Sequence, residues 1–274
     1  MTTWLITGSS TGLGRALAEA VLAAGDNAVV TARNPGSVED LTKTYGETVL
    51  ALGLDVTDDS AIAAVVRAAE ERFGGVDVLV NNAGYGYRAA VEEGDVADVE
   101  RLFATNFFGP VALIKAVLPG MRRRRSGAIV NISSIGARIS PPGSGYYAAS
   151  KAALEGMTGS LRKEVEPLGI RVMAVEPGAF RTDFAGRSLT QSAAAIDDYA
   201  NTAGKRRKEN DTVDGTQPGD PAKAAQALIT AIGSDAPPAL LLLGTDAVGS
   251  FTAVLDAQRA EIDTWRELST GTDL

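Results

Sequence analysis

Short apolar runs and stretches of helical period alternate along this chain with a regularity that few folds can use. Residues 4–7 (Trp-Leu-Ile-Thr) run into a glycine-rich turn and then into an amphipathic stretch over 15–24, stopped by Gly25. Glycine tolerates the left-handed backbone of a helix end, so the unit reads strand, turn, helix. It recurs. Residues 28–31 lead through Arg33-Asn34-Pro35-Gly36 to a second helical segment; 49–54 are closed by Asp55 and followed by helical period over 58–73; 76–80 are closed by Asn81-Asn82-Ala83-Gly84. Farther along come helical stretches at about 96–118 and 147–166, apolar runs at 128–133 and 171–175, a helix at 221–232 and a last run at 239–243. Strands buried on both faces are apolar throughout, and parallel neighbours need long helical connections. The pattern therefore predicts an α/β fold, a doubly wound parallel sheet with helices on both faces.

With 274 residues the chain could hold two small domains, but no fixed-period repeat and no linker composition interrupts it. A single domain over 1–274 is expected. Two segments break the rhythm. Residues 180–219, rich in Ser, Ala, Asp and Lys, show no clear strand and read as a substrate-loop insertion, a lid or a mobile loop. Residues 246–274 read as a helical C-terminal extension whose last residues, 269–274, fray.

The chain has no cysteine and no histidine. That excludes disulfides, thiolate nucleophiles, Cys/His zinc sites and any Ser-His-Asp triad. Acid–base chemistry must fall to Tyr, Lys or carboxylates, and no metal is expected. A net charge of -8 argues against nucleic acid or an anionic membrane as partner. The basic clusters at 122–125 and 205–208 read as solvated helix ends or loops. The start, Met1-Thr2-Thr3-Trp4, has no charged segment leading into a long apolar one, and no apolar run reaches about 18 residues, so a cytoplasmic location is expected.

Against this background Tyr147 and Lys151 stand four residues apart. At about 100° per residue a helix puts their phenol and ammonium on one face, while Tyr146 points elsewhere. A nearby cation favours phenolate and lowers a tyrosine's pKa from about 10, which suits proton exchange near neutral pH. Alone, such a pair is also an ordinary surface pair. A second signal is Gly8-Ser-Ser-Thr-Gly12-Leu13-Gly14, placed where a strand turns into a helix. The missing side chains permit a tight turn and let a dinucleotide's pyrophosphate approach backbone N–H groups and the positive helix end.

Four ordered motifs lie within residues 7–182: Thr7-Gly8-x-x-x-Gly12-x-Gly14, Asn81-Asn82-Ala83-Gly84, Ser134 thirteen residues before Tyr147, and Tyr147-x-x-x-Lys151. Together they resemble the short-chain dehydrogenases/reductases. The resemblance implies a Rossmann-like fold and a set of roles. Tyr147 would give or take the substrate proton, Lys151 would lower its pKa and hold the nicotinamide ribose, and Ser134 would hydrogen-bond the reacting oxygen. If the strand continues, only one of Ser133 and Ser134 can face the site, and the family spacing selects Ser134. Asn106, in Asn106-Phe-Phe-Gly-Pro110, would be the fourth catalytic member, its carbonyl holding a water in the relay to the lysine. Proline lacks the N–H that this carbonyl would receive in a helix, which frees the acceptor; a simple proline kink is the plainer reading.

Cofactor preference turns on the end of the second strand, where a carboxylate accepts the adenosine ribose of NAD and an arginine accommodates the phosphate of NADP. Here Ala32 and Arg33 follow each other with no carboxylate. NADP(H) is expected, with Arg33 on the 2′-phosphate and Ser10 nearby; NAD(H) stays open, since Thr11 stands where some relatives carry a second basic residue, and Arg33 could be a solvated loop residue. Gly8, Gly12, Leu13 and Gly14 would take the pyrophosphate, Asp55 and Val56 the adenine, and Asn82, Ala83 and Gly84 would flank the cofactor, with Asn81 stabilising the sheet. Pro177, Gly178 and Thr182 would fix the carboxamide end.

The expected function is NADP(H)-dependent interconversion of a ketone or aldehyde and an alcohol; the alternative is a non-catalytic cofactor-binding sensor or interaction protein of the same fold. Tyr85, Tyr87, Pro141-Pro142-Gly143 and Phe184 suggest a hydrophobic substrate, though they would serve equally as loop packing. A homodimer or homotetramer built on the helices near 96–118 and 147–166 is implied by the resemblance, while Leu243-Gly244-Thr245-Asp246-Ala247 departs from the family's usual chain end.

Overall fold

The computed structural model describes residues 1–184, 186, 188–213 and 215–274. Its strands are β1 (Thr3–Ile6), β2 (Asn27–Ala32), β3 (Val49–Gly53), β4 (Val78–Asn81), β5 (Gly86–Arg88), β6 (Gly127–Ile132), β7 (Ile170–Pro177), β8 (Leu189–Gln191) and β9 (Leu240–Leu243). Its helices are α1 (Gly12–Ala23), α2 (Glu39–Tyr45), α3 (Asp59–Phe73), α4 (Val96–Phe103), α5 (Gly109–Arg124), α6 (Gly136–Ile139), α7 (Gly145–Val165), α8 (Ala203–Val213), α9 (Pro221–Gly233) and α10 (Thr245–Thr270). Seven parallel strands form one sheet in the order β3-β2-β1-β4-β6-β7-β9. Strand order reverses between β1 and β4, which opens a crevice at their carboxyl ends.

Successive residues of each strand feed opposite layers. Ile6, Val30, Val80, Val130 and Val175 pack with Leu17 and Val21 of α1 and Leu228 and Ile232 of α9. Leu5, Val29, Leu79, Ile129 and Val172 pack with Val65 of α3, Leu113 and Val117 of α5 and Leu161 of α7. The register that matches Leu5 with Val29 and Leu79 keeps these sets apart, and a slip of one residue would exchange every side chain between layers. This is the doubly wound α/β sheet that the sequence pattern predicts.

The continuous helical run Val96–Arg124 is apolar and long enough by composition to cross a bilayer. Its apolar residues Leu102, Leu113, Ile114, Val117 and Met121 are buried within the protein's own covering layer. The run is not one regular helix. Residues Ala104–Phe108 form a π turn that joins α4 to α5 just before Pro110, so the backbone widens where proline cannot continue the ordinary hydrogen-bond pattern.

Three expectations need correction. The 180–219 segment contains β8, which pairs in parallel with β5, and α8; strands of three residues are too short to leave a pattern, and residues 185, 187 and 214 lie outside those described. The basic cluster at 205–208 is not simply solvated, because Arg207 turns inward to pair with buried Glu93. Tyr87 is core rather than pocket wall: its ring is fully buried and its hydroxyl donates to Asp98 and accepts from the N–H of Asp95.

Candidate active site

The turn after β1 and the turn after β4 are tied together at the crevice. Thr7 Oγ1 accepts the N–H groups of Asn82 and Ala83 at 3.0 and 2.9 Å, and Asn82 Nδ2 donates to the carbonyls of Thr7 and Gly8 at 2.8 and 3.1 Å. This approach demands glycine. A Cβ at Gly14 would stand 2.3 Å from Asn82 Nδ2 and 2.5 Å from the Gly8 carbonyl oxygen. Gly8 and Gly12 adopt φ of +67° and +61°, and a Cβ at Gly12 would come 3.3 Å from Thr182 Cβ, so the loop after β7 reaches back over the turn. Thr11, the N-cap of α1, makes no side-chain capping bond. The first N–H groups of α1, those of Gly12, Leu13 and Gly14, are thus left for an anion at the positive helix end, and this cradle fits a dinucleotide pyrophosphate.

Around it, Pro177 is buried at the end of β7 and Gly178 lies against Asp246 of α10. Asp246 also accepts the N–H of Ala179 at 2.7 Å and so pins this loop. Arg33 is exposed just beyond β2 and forms no ion pair among the described residues. Ser10 is half-buried in the turn. Asp55 spends one carboxylate oxygen on a turn, accepting from the N–H and Oγ1 of Thr57 at 2.9 and 2.7 Å, and Val56 is buried against Gly109. Asn81 bonds to Asn131 at 2.8 Å inside the sheet, away from the crevice.

A second group of side chains meets at the carboxyl end of β6. Ser134 Oγ accepts from Gly136 N–H at 3.0 Å, and a Cβ at Gly136 would lie 3.2 Å from Ser134 Oγ and 3.4 Å from the Tyr147 ring, so the two side chains border one space. Ser133 faces the other way and donates to Glu155. Lys151 is buried and donates to the carbonyl of Ile132 at 2.8 Å. A Cβ at Gly84 would lie 3.0 Å from Asn106 Oδ1 and 3.4 Å from Lys151 Nζ, so these two side chains border one space. Asn106 is fully buried in the π turn; its amide exchanges hydrogen bonds with the backbone of Tyr85 at 2.9 and 3.1 Å and donates to Ser150. Tyr146 points away, its hydroxyl on the Val91 carbonyl.

One electrostatic expectation is overturned. Burial pushes the Tyr147 phenol up from its ordinary value, against the opposing effects of neighbouring Ser134 and the charge of Arg88. The Lys151 ammonium sits 5.9 Å from the ring centre and spends a bond on Ile132. Burial in turn lowers Lys151 to about 8, with Glu155 opposing.

The family model for short chain dehydrogenases matches residues 2–193, which contain both halves of this site. The chain belongs to the short-chain dehydrogenase family. As a short-chain dehydrogenase it is 40% identical over 267 residues to Oxidoreductase BOA17 of Botryotinia fuckeliana, with 97% of each chain covered. The crystal structure of a short-chain dehydrogenase from Streptomyces avermitilis matches over 100% of both chains, with a TM-score of 0.93 and 45% identity. Alcohol dehydrogenase from Thermococcus sibiricus, complexed with 5-hydroxy-NADP, has a TM-score of 0.73 and 26% identity, covering 89% of this chain and 96% of its own. The 3-ketoacyl-(acyl-carrier-protein) reductase from Brucella melitensis, complexed with NADH, has a TM-score of 0.74 and 25% identity, covering 88% and 95%.

Sequence reasoning missed three residues of this short-chain dehydrogenase that bear on its site. Asp246, Arg88 and Arg138 each act through the fold: Asp246 on the 178–179 backbone, Arg88 on Tyr147, and Arg138 on Glu155 and Glu176. No motif marks them. A charged residue amid the small and aromatic residues of 85–90 was the one available signal for Arg88.

Proposed function

We propose that this oxidoreductase interconverts a ketone or aldehyde and an alcohol with NADP(H), Tyr147 acting as general acid and base. The observation that carries the reading is the meeting of the Tyr147 phenol, Ser134 Oγ and Lys151 at the carboxyl end of β6, beside the glycine cradle. The dinucleotide, when bound, supplies or accepts the hydride. Gly8, Gly12, Leu13 and Gly14 would hold its pyrophosphate, Arg33 with Ser10 nearby its 2′-phosphate, Asp55 and Val56 its adenine, Asn82, Ala83 and Gly84 its flank, Lys151 the ribose hydroxyls, and Pro177, Gly178 and Thr182 the carboxamide end.

Tyr147 protonates the oxygen as negative charge develops there, and Ser134 donates a hydrogen bond to the same atom. A phenol held neutral by burial is in the correct form for carbonyl reduction. Lys151 and Asn106 return the proton from solvent. Phe184, with its ring centre 5.8 Å from that of Tyr147, gives the substrate an apolar wall.

The exposed ring of Phe108, beside Val111 and Ala112 on α5, supports assembly as a homodimer or homotetramer; sedimentation would measure it. A cytoplasmic location belongs to the same reading. Titration with NADPH and NADH, followed by nicotinamide fluorescence, tests the cofactor assignment without a substrate. Tighter NADPH binding is expected, tighter NADH binding would remove the role of Arg33, and binding of neither would overturn the cradle.

A further inference from the structure

One positive charge near Tyr147 has no counter-charge among the described residues. Arg88, in β5, is only 8% exposed. Its Nη1 donates to Ser144 Oγ, its Nε is enclosed without an acceptor, and it forms no ion pair among the described residues. The surroundings add more positive charge. Burial, and after it the charge of Arg206 of α8, lower Arg88 to about 10. Ser144 is the N-cap of α7, so the positive end of that helix faces the group as well.

Among the described residues, two other arginines that turn inward meet carboxylates. Arg207, on the same helix as Arg206, pairs with buried Glu93, and Arg138 pairs with Glu155 and Glu176. Arg88 has no such carboxylate among the described residues. An enclosed guanidinium lacking a counter-ion is costly in a protein interior, which makes the place beside the reactive phenol a receptor for an anion.

We propose that Arg88 is a substrate-binding residue that takes a carboxylate, and that the substrate class is a keto acid reduced to the hydroxy acid. A monoanion fits one guanidinium whose Nη1 is already engaged by Ser144. The reaction is the two-electron step described above: a hydride from the reduced nicotinamide to the carbonyl carbon, a proton from Tyr147 to the oxygen, and the carboxylate untouched. This inference rests on the reading of Tyr147 as the acid.

Phenylglyoxylate, benzoylacetate and 3-benzoylpropionate, each beside its methyl ester, provide the test. Calorimetric binding and NADPH-dependent turnover would be measured for the wild type, Arg88→Lys and Arg88→Met. At least one acid should bind about 10-fold tighter than its ester, with the preference in kcat/KM carried by KM, because a charge-assisted pair is gained. In Arg88→Met the preference should collapse toward one, and Arg88→Lys should keep part of it. Equal binding of acid and ester across the set overturns the inference, as does a folded Arg88→Met that keeps the preference. Should Arg88→Met not fold, the wild-type ratios and Arg88→Lys decide. Esters reduced as well as acids would uphold the reading of Tyr147 and defeat the anion site; acids bound selectively but never reduced would do the reverse.

Discussion

Lys151 Nζ donates to the main-chain carbonyl of Ile132 at 2.8 Å and stands 5.9 Å from the ring centre of Tyr147. The ammonium is therefore anchored to the end of β6, and the phenol is governed by its own burial, by Ser134 and by Arg88. At neutral pH the pair is a neutral phenol beside an ammonium that titrates near 8.

That arrangement sets a pH dependence. Lys151 is charged below about 8 and loses its proton as pH rises through that value. Carbonyl reduction should therefore fall on the alkaline side, while alcohol oxidation, which needs the phenolate, should gain there. Initial rates from pH 6 to 10 would show it. In Lys151→Met the reductive limb near 8 should vanish from a much slower profile; an unchanged limb would assign it to another group.

The adjacent serines should separate cleanly. Ser134→Ala removes the donor to the developing oxyanion and should lower kcat by about 100-fold. Ser133→Ala removes a bond to Glu155 and should lower stability by about 1 kcal/mol while kcat stays near wild type. Steady-state kinetics beside urea unfolding would distinguish the two, and equal kinetic losses would refute the separation.

Arg33→Ala should weaken NADPH by about 10- to 100-fold, the worth of a charge-assisted phosphate contact, and leave NADH unchanged. Equilibrium fluorescence titration measures both. Parallel losses for the two cofactors would show that Arg33 does not read the phosphate.

Much of this was legible in the sequence because the signals are local. Val78, Leu79 and Val80 are apolar on both faces of a buried strand, and Tyr147 and Lys151 share a helical face, so period alone places them. Pairings far apart in sequence left no such trace. β5 meets β8 across about a hundred residues, and Asp246 reaches back to Ala179. The direction of the Tyr147 shift was illegible for a related reason: helical spacing brings a lysine near, but the partner it chooses, here Ile132, depends on tertiary packing.

Glu176 makes stability depend on pH. Its side chain is enclosed in β7, Arg138 Nε donates to its Oε1 at 2.8 Å, and Oε2 has no donor among the described residues. Burial and the nearby charge of Glu155 push it up to about 7. Protonated, it can donate to Glu155. The folded chain thus holds a proton that the unfolded chain releases near 4.5, so between those values the folded state binds more protons and stability falls as pH rises, with the full cost present above about 7. Glu176→Gln keeps a donor toward Glu155 and should flatten this slope in urea unfolding at pH 5, 6, 7 and 8. An identical slope in the variant would place the effect elsewhere.

The most direct test is turnover of Tyr147→Phe on a carbonyl compound that the wild type reduces, measured beside its NADPH dissociation constant. The ring stays and the acid is lost, so kcat should fall by at least about 100-fold while NADPH affinity stays near wild type. Retained turnover with intact cofactor binding would contradict the assignment of Tyr147 as the proton donor.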